Sequence, residues 1–166
     1  MSTSLDAVPN GSDVLIDANI FIYGITNQSP QCRNFLTRCS NEQVFGITLF
    51  EVVNNATHAF MLAEAKAKKL SMGKPREYLA KNPNEVRKLT SYWANTERVL
   101  ALNLIFLPCE EEILIGAQRV RLQSGLLTND SVIVSTMREY GISKIATNDA
   151  LFDSVLGVSV FRPDDV

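Results

Sequence analysis

Short apolar runs alternate along the chain with longer stretches of helical spacing. Val14-Leu15-Ile16, after Gly11, predicts a buried strand that ends at Asp17, and residues 19–24 predict a helical turn. Ser29 before Pro30 is an N-cap followed by proline at the first helical position, so a helix is expected to about Cys39. Val44-Phe45-Gly46-Ile47 predicts a second strand. Thr48 then opens a long helix expected to reach Leu70, before Gly73-Lys74-Pro75 breaks it. Asn82-Pro83-Asn84 breaks the chain again, and a helix follows over 85–102. A strand over 104–107 stops at Pro108, and helices over 110–124 and 129–140 end at Gly125 and Gly141. Residues 144–146 predict a fourth strand, 150–156 a short helix, and 158–161 a last strand before Pro163.

Strands separated by helices predict an α/β fold with a mainly parallel central sheet and helices on both faces. A length of 166 residues with no Gly-, Ser- or Pro-rich linker predicts one domain, spanning 13–166. Residues 1–12 are polar, with Pro9, Asn10 and Gly11, and are expected to be a flexible lead. They lack the basic start and apolar core of a signal peptide. The apolar runs are too short or too interrupted to cross a membrane. Three cysteines, Cys32, Cys39 and Cys109, show no paired or zinc-binding spacing, which fits a reduced, cytoplasmic protein with thiols in its core.

Charge is unevenly spread. Residues 61–100 hold nine basic and four acidic side chains, an excess of five positive charges; the net charge is -2, so the remainder carries seven negative. A basic surface beside an acidic pocket suits an anionic polymer, with Lys66, Lys69 and Arg76 as candidate RNA contacts. A solvated helical face would carry the same residues.

Ligands of open α/β sheets bind beyond the carboxyl ends of the strands. Asp17 directly follows the first predicted strand, Glu51 lies in the first turn after the second, and Asp149 follows the fourth. Asp130 opens a helix after Leu126-Leu127. Each has a local alternative: Thr48 to Glu51 reads as a capping box, and Asp17, Asp130 and Asp149 could cap or charge helix starts. One shared pocket accounts for all four. Clustered carboxylates repel unless a cation intervenes, and hard oxygen ligands select Mg²⁺ or Mn²⁺. Such a metal suits phosphodiester hydrolysis. The only histidine, His58, falls two turns after Glu51 and reads as structural. The chain has no G-x-S-x-G, no phosphate-binding glycine loop and no H-E-x-x-H.

Asp-Val-Leu-Ile-Asp-Ala-Asn-Ile-Phe-Ile-Tyr at 13–23 resembles the opening motif of the PIN-domain family. Thr-Leu-Phe-Glu-Val-Val-Asn at 48–54, Leu-Leu-Thr-Asn-Asp at 126–130 and Ile-Ala-Thr-Asn-Asp-Ala-Leu-Phe-Asp at 145–153 resemble its second, third and fourth. Within the family the resemblance is closest to VapC-like toxins, which are single-domain endoribonucleases. It implies a three-layer α/β/α fold and carries the metal-binding acids over to Asp17, Glu51, Asp130 and Asp149. Asp153 matches a more variable acidic position, Asn19 the polar residue after the first Asp, and Thr147 the hydroxyl residue before the fourth. A metal-dependent endoribonuclease, the toxin of a toxin–antitoxin pair, is the activity implied. Its implied partners are an RNA substrate, a small antitoxin protein and a second copy in a homodimer. The stretch between Glu51 and Asp130 is longer than in compact toxins, so a helical insert is expected around 63–95. Two other readings stay open. One is a catalytically idle PIN module that binds RNA or protein. The other is an aspartyl-phosphate phosphatase using Asp17, which would want an Asp where Asn19 stands.

Overall fold

A computed structural model describes residues 2–70 and 73–166. Six strands form one sheet: β1 (Thr3–Ser4), β2 (Asp13–Ile16), β3 (Phe45–Leu49), β4 (Ile105–Leu107), β5 (Lys144–Ala146) and β6 (Ser159–Arg162). Their order is β1-β6-β5-β2-β3-β4, and every pairing is parallel. Among the described residues the helices are α1 (Ala18–Ile25), α2 (Pro30–Ser40), α3 (Phe50–Ala67), α4 (Pro75–Lys81), α5 (Pro83–Val86), α6 (Ser91–Leu100), α7 (Glu111–Ser124) and α8 (Thr128–Glu139). Val14, Leu15 and Ile16 are all fully buried, as expected of a central parallel strand covered on both faces.

The chain steps from β2 outward to β3 and β4, then returns to lay β5 on the other side of β2. Parallel crossovers are right-handed, so a reversal of direction moves the connecting helices to the opposite face. Helices α1, α2, α3 and α6 pack on one another, α7 and α8 form a separate pair, and the sheet lies between as the middle layer. The α/β/α architecture expected from the sequence is therefore present. None of the described helices is long and apolar enough to cross a membrane.

Four local expectations are corrected. The lead is ordered over residues 2–12: β1 pairs with β6, and Leu5 and Val8 are buried. Burying one such side chain contributes about 2 kcal/mol, enough to hold a short segment down. The Arg38 guanidinium also donates to the Val8 carbonyl. Thr48 does not cap α3: it lies in β3, and its hydroxyl donates to the Ile16 carbonyl at 3.2 Å, tying β3 to β2. Helix α3 ends at Ala67, before a left-handed turn at Lys69 (φ 54°).

The helix expected over 85–102 is two helices, because its start is set by a distant side chain. Glu64 of α3 is buried, and its two carboxylate oxygens accept the amide N–H groups of Thr90 and Tyr92, both at 2.9 Å. Lys68 pairs with the same carboxylate at 2.7 Å. Burial opposes the charge on Glu64, but Lys68 and the two amides outweigh it and hold the carboxyl at about 2. Around this cap the end of α3 and the helices after it build a small core of their own, with Ala65, Leu79 and Leu89 buried and Met61, Tyr78 and Val86 against them.

A carboxyl held low in the folded chain stabilises it above the unfolded pKa, and that contribution is lost as pH falls through the folded value. Glu64→Ala is therefore expected to cost about 2 kcal/mol at neutral pH, the range for hydrogen bonds to a charged group. The loss should shrink as pH falls from about 4.5 toward 2. Urea denaturation of both proteins at pH 7 and pH 3 measures it, and an equal deficit at the two values would deny Glu64 its role.

Candidate active site

The sheet changes direction between β2 and β5, and the crevice outside the carboxyl ends of such a pair is where α/β folds place ligands. Registry matters here. Ile16 pairs with Ala146, so the next residues on the two strands, Asp17 and Thr147, emerge side by side. The Asp17 amide donates to the Ala146 carbonyl at 3.1 Å, and the Thr147 amide donates to the Phe161 carbonyl of β6 at 3.0 Å.

Asp17 is the N-cap of α1. One oxygen, Oδ1, accepts the Ala18 amide at 2.7 Å; the other, Oδ2, accepts both Asn19 Nδ2 and Thr147 Oγ1 at 2.6 Å. Thr147 Oγ1 in turn accepts from Asn19 Nδ2 at 3.1 Å and from the Asp149 amide at 3.0 Å. The Asn19 carbonyl oxygen accepts the Asn148 amide at 3.0 Å. Asn19 and Thr147 thus lock the turn after β5 onto the start of α1. Asp149 caps the 3-10 turn at Ala150–Ser154, accepting the Leu151 amide at 2.8 Å.

The acids at this edge act on one another. Burial pushes the Asp17 carboxyl up, the hydrogen bonds from Thr147, Ala18 and Asn19 offset part of this, and the Asp149 charge adds to it. Asp130, in the first turn of α8, is raised by burial and then by the charges of Asp17 and Asp149. Asp17, Asp130 and Asp149 therefore form one electrostatic cluster. Glu51 stands to one side, exposed in the first turn of α3, and its charge acts on Cys109, whose thiol is raised by burial and then by Glu51. Between Glu51 and Asn129 opens a pocket of about 300 Å³.

A divalent cation is the group this donor set would take. The oxygens are hard, and three aspartates at one edge carry more charge than the protein neutralises. Among the described residues, no three His, Cys, Asp or Glu side chains are grouped so that together they could hold a metal ion.

A PIN domain family profile matches residues 14–157. This chain belongs to the PIN domain family. Among solved structures, VapBC2 from Rickettsia felis bound to a DNA fragment from their promoter aligns with a TM-score of 0.60 at 15% identity, covering 92% of this chain and 99% of that one. A toxin–antitoxin complex from Klebsiella pneumoniae gives a TM-score of 0.55 at 14% identity, covering 87% and 94%. DNA-bound VapBC from Salmonella typhimurium gives 0.54 at 14%, covering 91% and 98%. Identities this low establish a common fold. No curated protein matches the sequence.

In this PIN domain two features have no signal in the sequence. Arg162, at the end of β6, donates to the Asp149 carbonyl at 3.1 Å and pairs with Asp153 at 3.3 Å. Asp153 thus has a cationic partner within the chain. No local signal marks Arg162, because the contact spans the turn between two strands. The second feature is the pocket, assembled from α3, α7 and α8 together.

The raised carboxyl of Asp130 has a measurable sign. An acid whose folded pKa lies above its unfolded value stabilises the fold below the unfolded value, near 3.8, and loses that as pH rises through the folded one. Ionised Asp130 therefore destabilises the metal-free protein at neutral pH. Asp130→Asn should melt above wild type at pH 7 in chelator, with the gap narrowing at pH 4; calorimetry showing no gap at pH 7 would place Asp130 outside the cluster. Asp17→Asn should gain less, because both Asp17 oxygens accept hydrogen bonds and an amide has only one acceptor oxygen.

Proposed function

We propose that the protein is a metal-dependent endoribonuclease that hydrolyses phosphodiester bonds of single-stranded or structured RNA, acting as the toxin of a toxin–antitoxin pair. The observation that carries this reading is the mutual electrostatic strain of Asp17, Asp130 and Asp149 at the switch point of the sheet. PIN domains are generally nucleases that use divalent metals, and the similar folds named above are toxin–antitoxin complexes. The same similarity supports a small antitoxin protein as partner. A homodimer is the working form proposed with it.

In this reading Asp17, Asp130 and Asp149 hold Mg²⁺ or Mn²⁺, and Glu51 contributes from the neighbouring strand end. When bound, the cation neutralises charge on a phosphoryl oxygen and makes water acidic enough to attack. Asn19 and Thr147 act as positioning residues: they fix which lone pairs of Asp17 stay free and hold the Asp149 turn against it. Asp153, paired with Arg162, keeps that turn anchored. Lys66, Lys69 and Arg76 are exposed, and no ion pair among the described residues engages them, so they remain able to take phosphates. Lys66 lies about 22 Å along α3 from Glu51 at 1.5 Å per residue, several nucleotides from the cut.

Cleavage of RNA with Mn²⁺, absent in chelator and abolished in Asp130→Asn and Asp149→Asn, is the expected outcome. Mn²⁺ should also raise the melting temperature of wild type, by about 2.7 kcal/mol of stabilisation at a hundredfold excess over its dissociation constant, and hardly that of the double variant. Metal-independent cleavage, or equal shifts in both proteins, would sink the assignment.

Lys66→Gln, Lys69→Gln and Arg76→Gln together should weaken RNA binding and lower the log–log salt slope by about 0.7 for each phosphate no longer neutralised. Cleavage at saturating RNA should change far less. An unchanged slope by fluorescence anisotropy would return these residues to the role of a solvated surface.

A further inference from the structure

Glu51 also lines a pocket whose other residues have no part in the chemistry above. It holds about 300 Å³, the lower end of small-molecule sites, room for one flat ring system. Its walls include Val52 from α3, Leu114 from α7 and Val132 from α8. Its polar lining residues are Glu51, toward the acidic cluster, and then Asn55, Asn129 and Thr128, which bring two side-chain amides and a hydroxyl. Asn55 sits one turn after Glu51 on α3, so the two share a face. Asn129 is the residue before Asp130. One wall of the pocket is thus continuous with the acidic cluster. The Glu51 strand end lies one strand, about 4.8 Å, from that of Asp17.

Apolar faces with amides at the rim match an unstacked nucleobase, whose faces are apolar and whose edges offer donors and acceptors side by side. A side-chain amide both donates and accepts, and so can pair with such an edge in a fixed orientation. An aliphatic side chain would leave both amides unanswered. We infer that this pocket takes one unpaired base of the RNA strand adjoining the cleaved phosphate, and that Asn55 and Asn129 determine which base is accepted. The inference rests on the nuclease reading, and it assigns to that reading a specificity site.

Both asparagines are exposed, so replacing them leaves the core intact. The full-length protein and an Asn55→Leu/Asn129→Leu variant are given a randomised RNA with Mn²⁺, and the new ends are sequenced. Wild type is expected to prefer one base next to the cut by about tenfold or more, within the range of a good amide–base pair. The variant should lose that preference while cutting the least-favoured sequences as wild type does. A preference that survives unchanged in the variant, or a wild type with none, overturns the assignment and leaves the nuclease reading standing. A protein that neither binds nor cuts RNA overturns both.

Cys109 supplies a readout independent of cleavage, since it lines the pocket while Cys32 and Cys39 are buried. Short RNA, at a concentration that anisotropy shows to be saturating, should slow alkylation of Cys109 in wild type and not in the variant. Bound RNA that leaves Cys109 equally reactive overturns the assignment. So does protection by a protein partner alone, which would give the pocket to a side chain.

Discussion

Asp17 is a half-buried carboxylate at the place where the sheet reverses direction. A charge placed there must be satisfied by the chain or by something the chain binds. The protein supplies three hydrogen bonds, from Ala18, Asn19 and Thr147, and then sets two more aspartates nearby, which undoes part of the gain. The bond from Thr147 to Asp17 joins parts of the chain 130 residues apart in sequence, and Asn19 donates to the same Thr147 hydroxyl across 128. The start of α1 and the turn after β5 therefore hold their relative position because both close on the same oxygen.

Glu64 shows what the same chain does with an acid that is purely structural. It is buried, yet its oxygens meet two helix-terminal amides and Lys68, and its carboxyl is held down to about 2. Asp17 and Asp130 are pushed the other way. Burial alone does not separate the two cases, since it opposes charge in each. The difference lies in what surrounds the carboxylate: amide donors and a lysine in one, further aspartates in the other. Strain of the second kind is stored where a ligand is expected to release it.

What can be read from the sequence follows the range of the interactions involved. Buried strands announce themselves as continuous apolar runs, so the strand ends that carry Asp17 and Asp149 are legible, and with them the parallel α/β class. Glycine stops are equally plain: α7 ends where Gly125 enters the left-handed region (φ 68°). Thr48 misleads because Thr48-Leu49-Phe50-Glu51 satisfies the spacing of a capping box, while the contact that decides its role is with Ile16 on the neighbouring strand. The start of α6 escapes local patterning because its cap comes from Glu64, 26 residues earlier. The order in residues 3–8 is invisible locally because β1 finds its partner in β6, at the opposite end of the chain. The pairing of Asp153 with Arg162 carries no local signal either, since only the fold brings them together.

The strand order also gives the site a direction. Passing along the carboxyl edge from β6 to β4, one meets Arg162 with Asp153, then Asp149, then Asp17, then Glu51, and finally the pocket by Cys109. Adjacent strands are about 4.8 Å apart, so these features form a row and not a ring. Asp130 joins the row from α8, where it feels the charges of Asp17 and Asp149. A row with a cationic side chain at one end, acids in the middle and an apolar hollow at the other has no symmetry to exchange its ends. An asymmetric polymer laid along it meets a different environment at each position, and reversing the polymer exchanges those environments. That asymmetry needs no addition to the fold: it follows from a parallel sheet whose switch point sits near the middle of its edge.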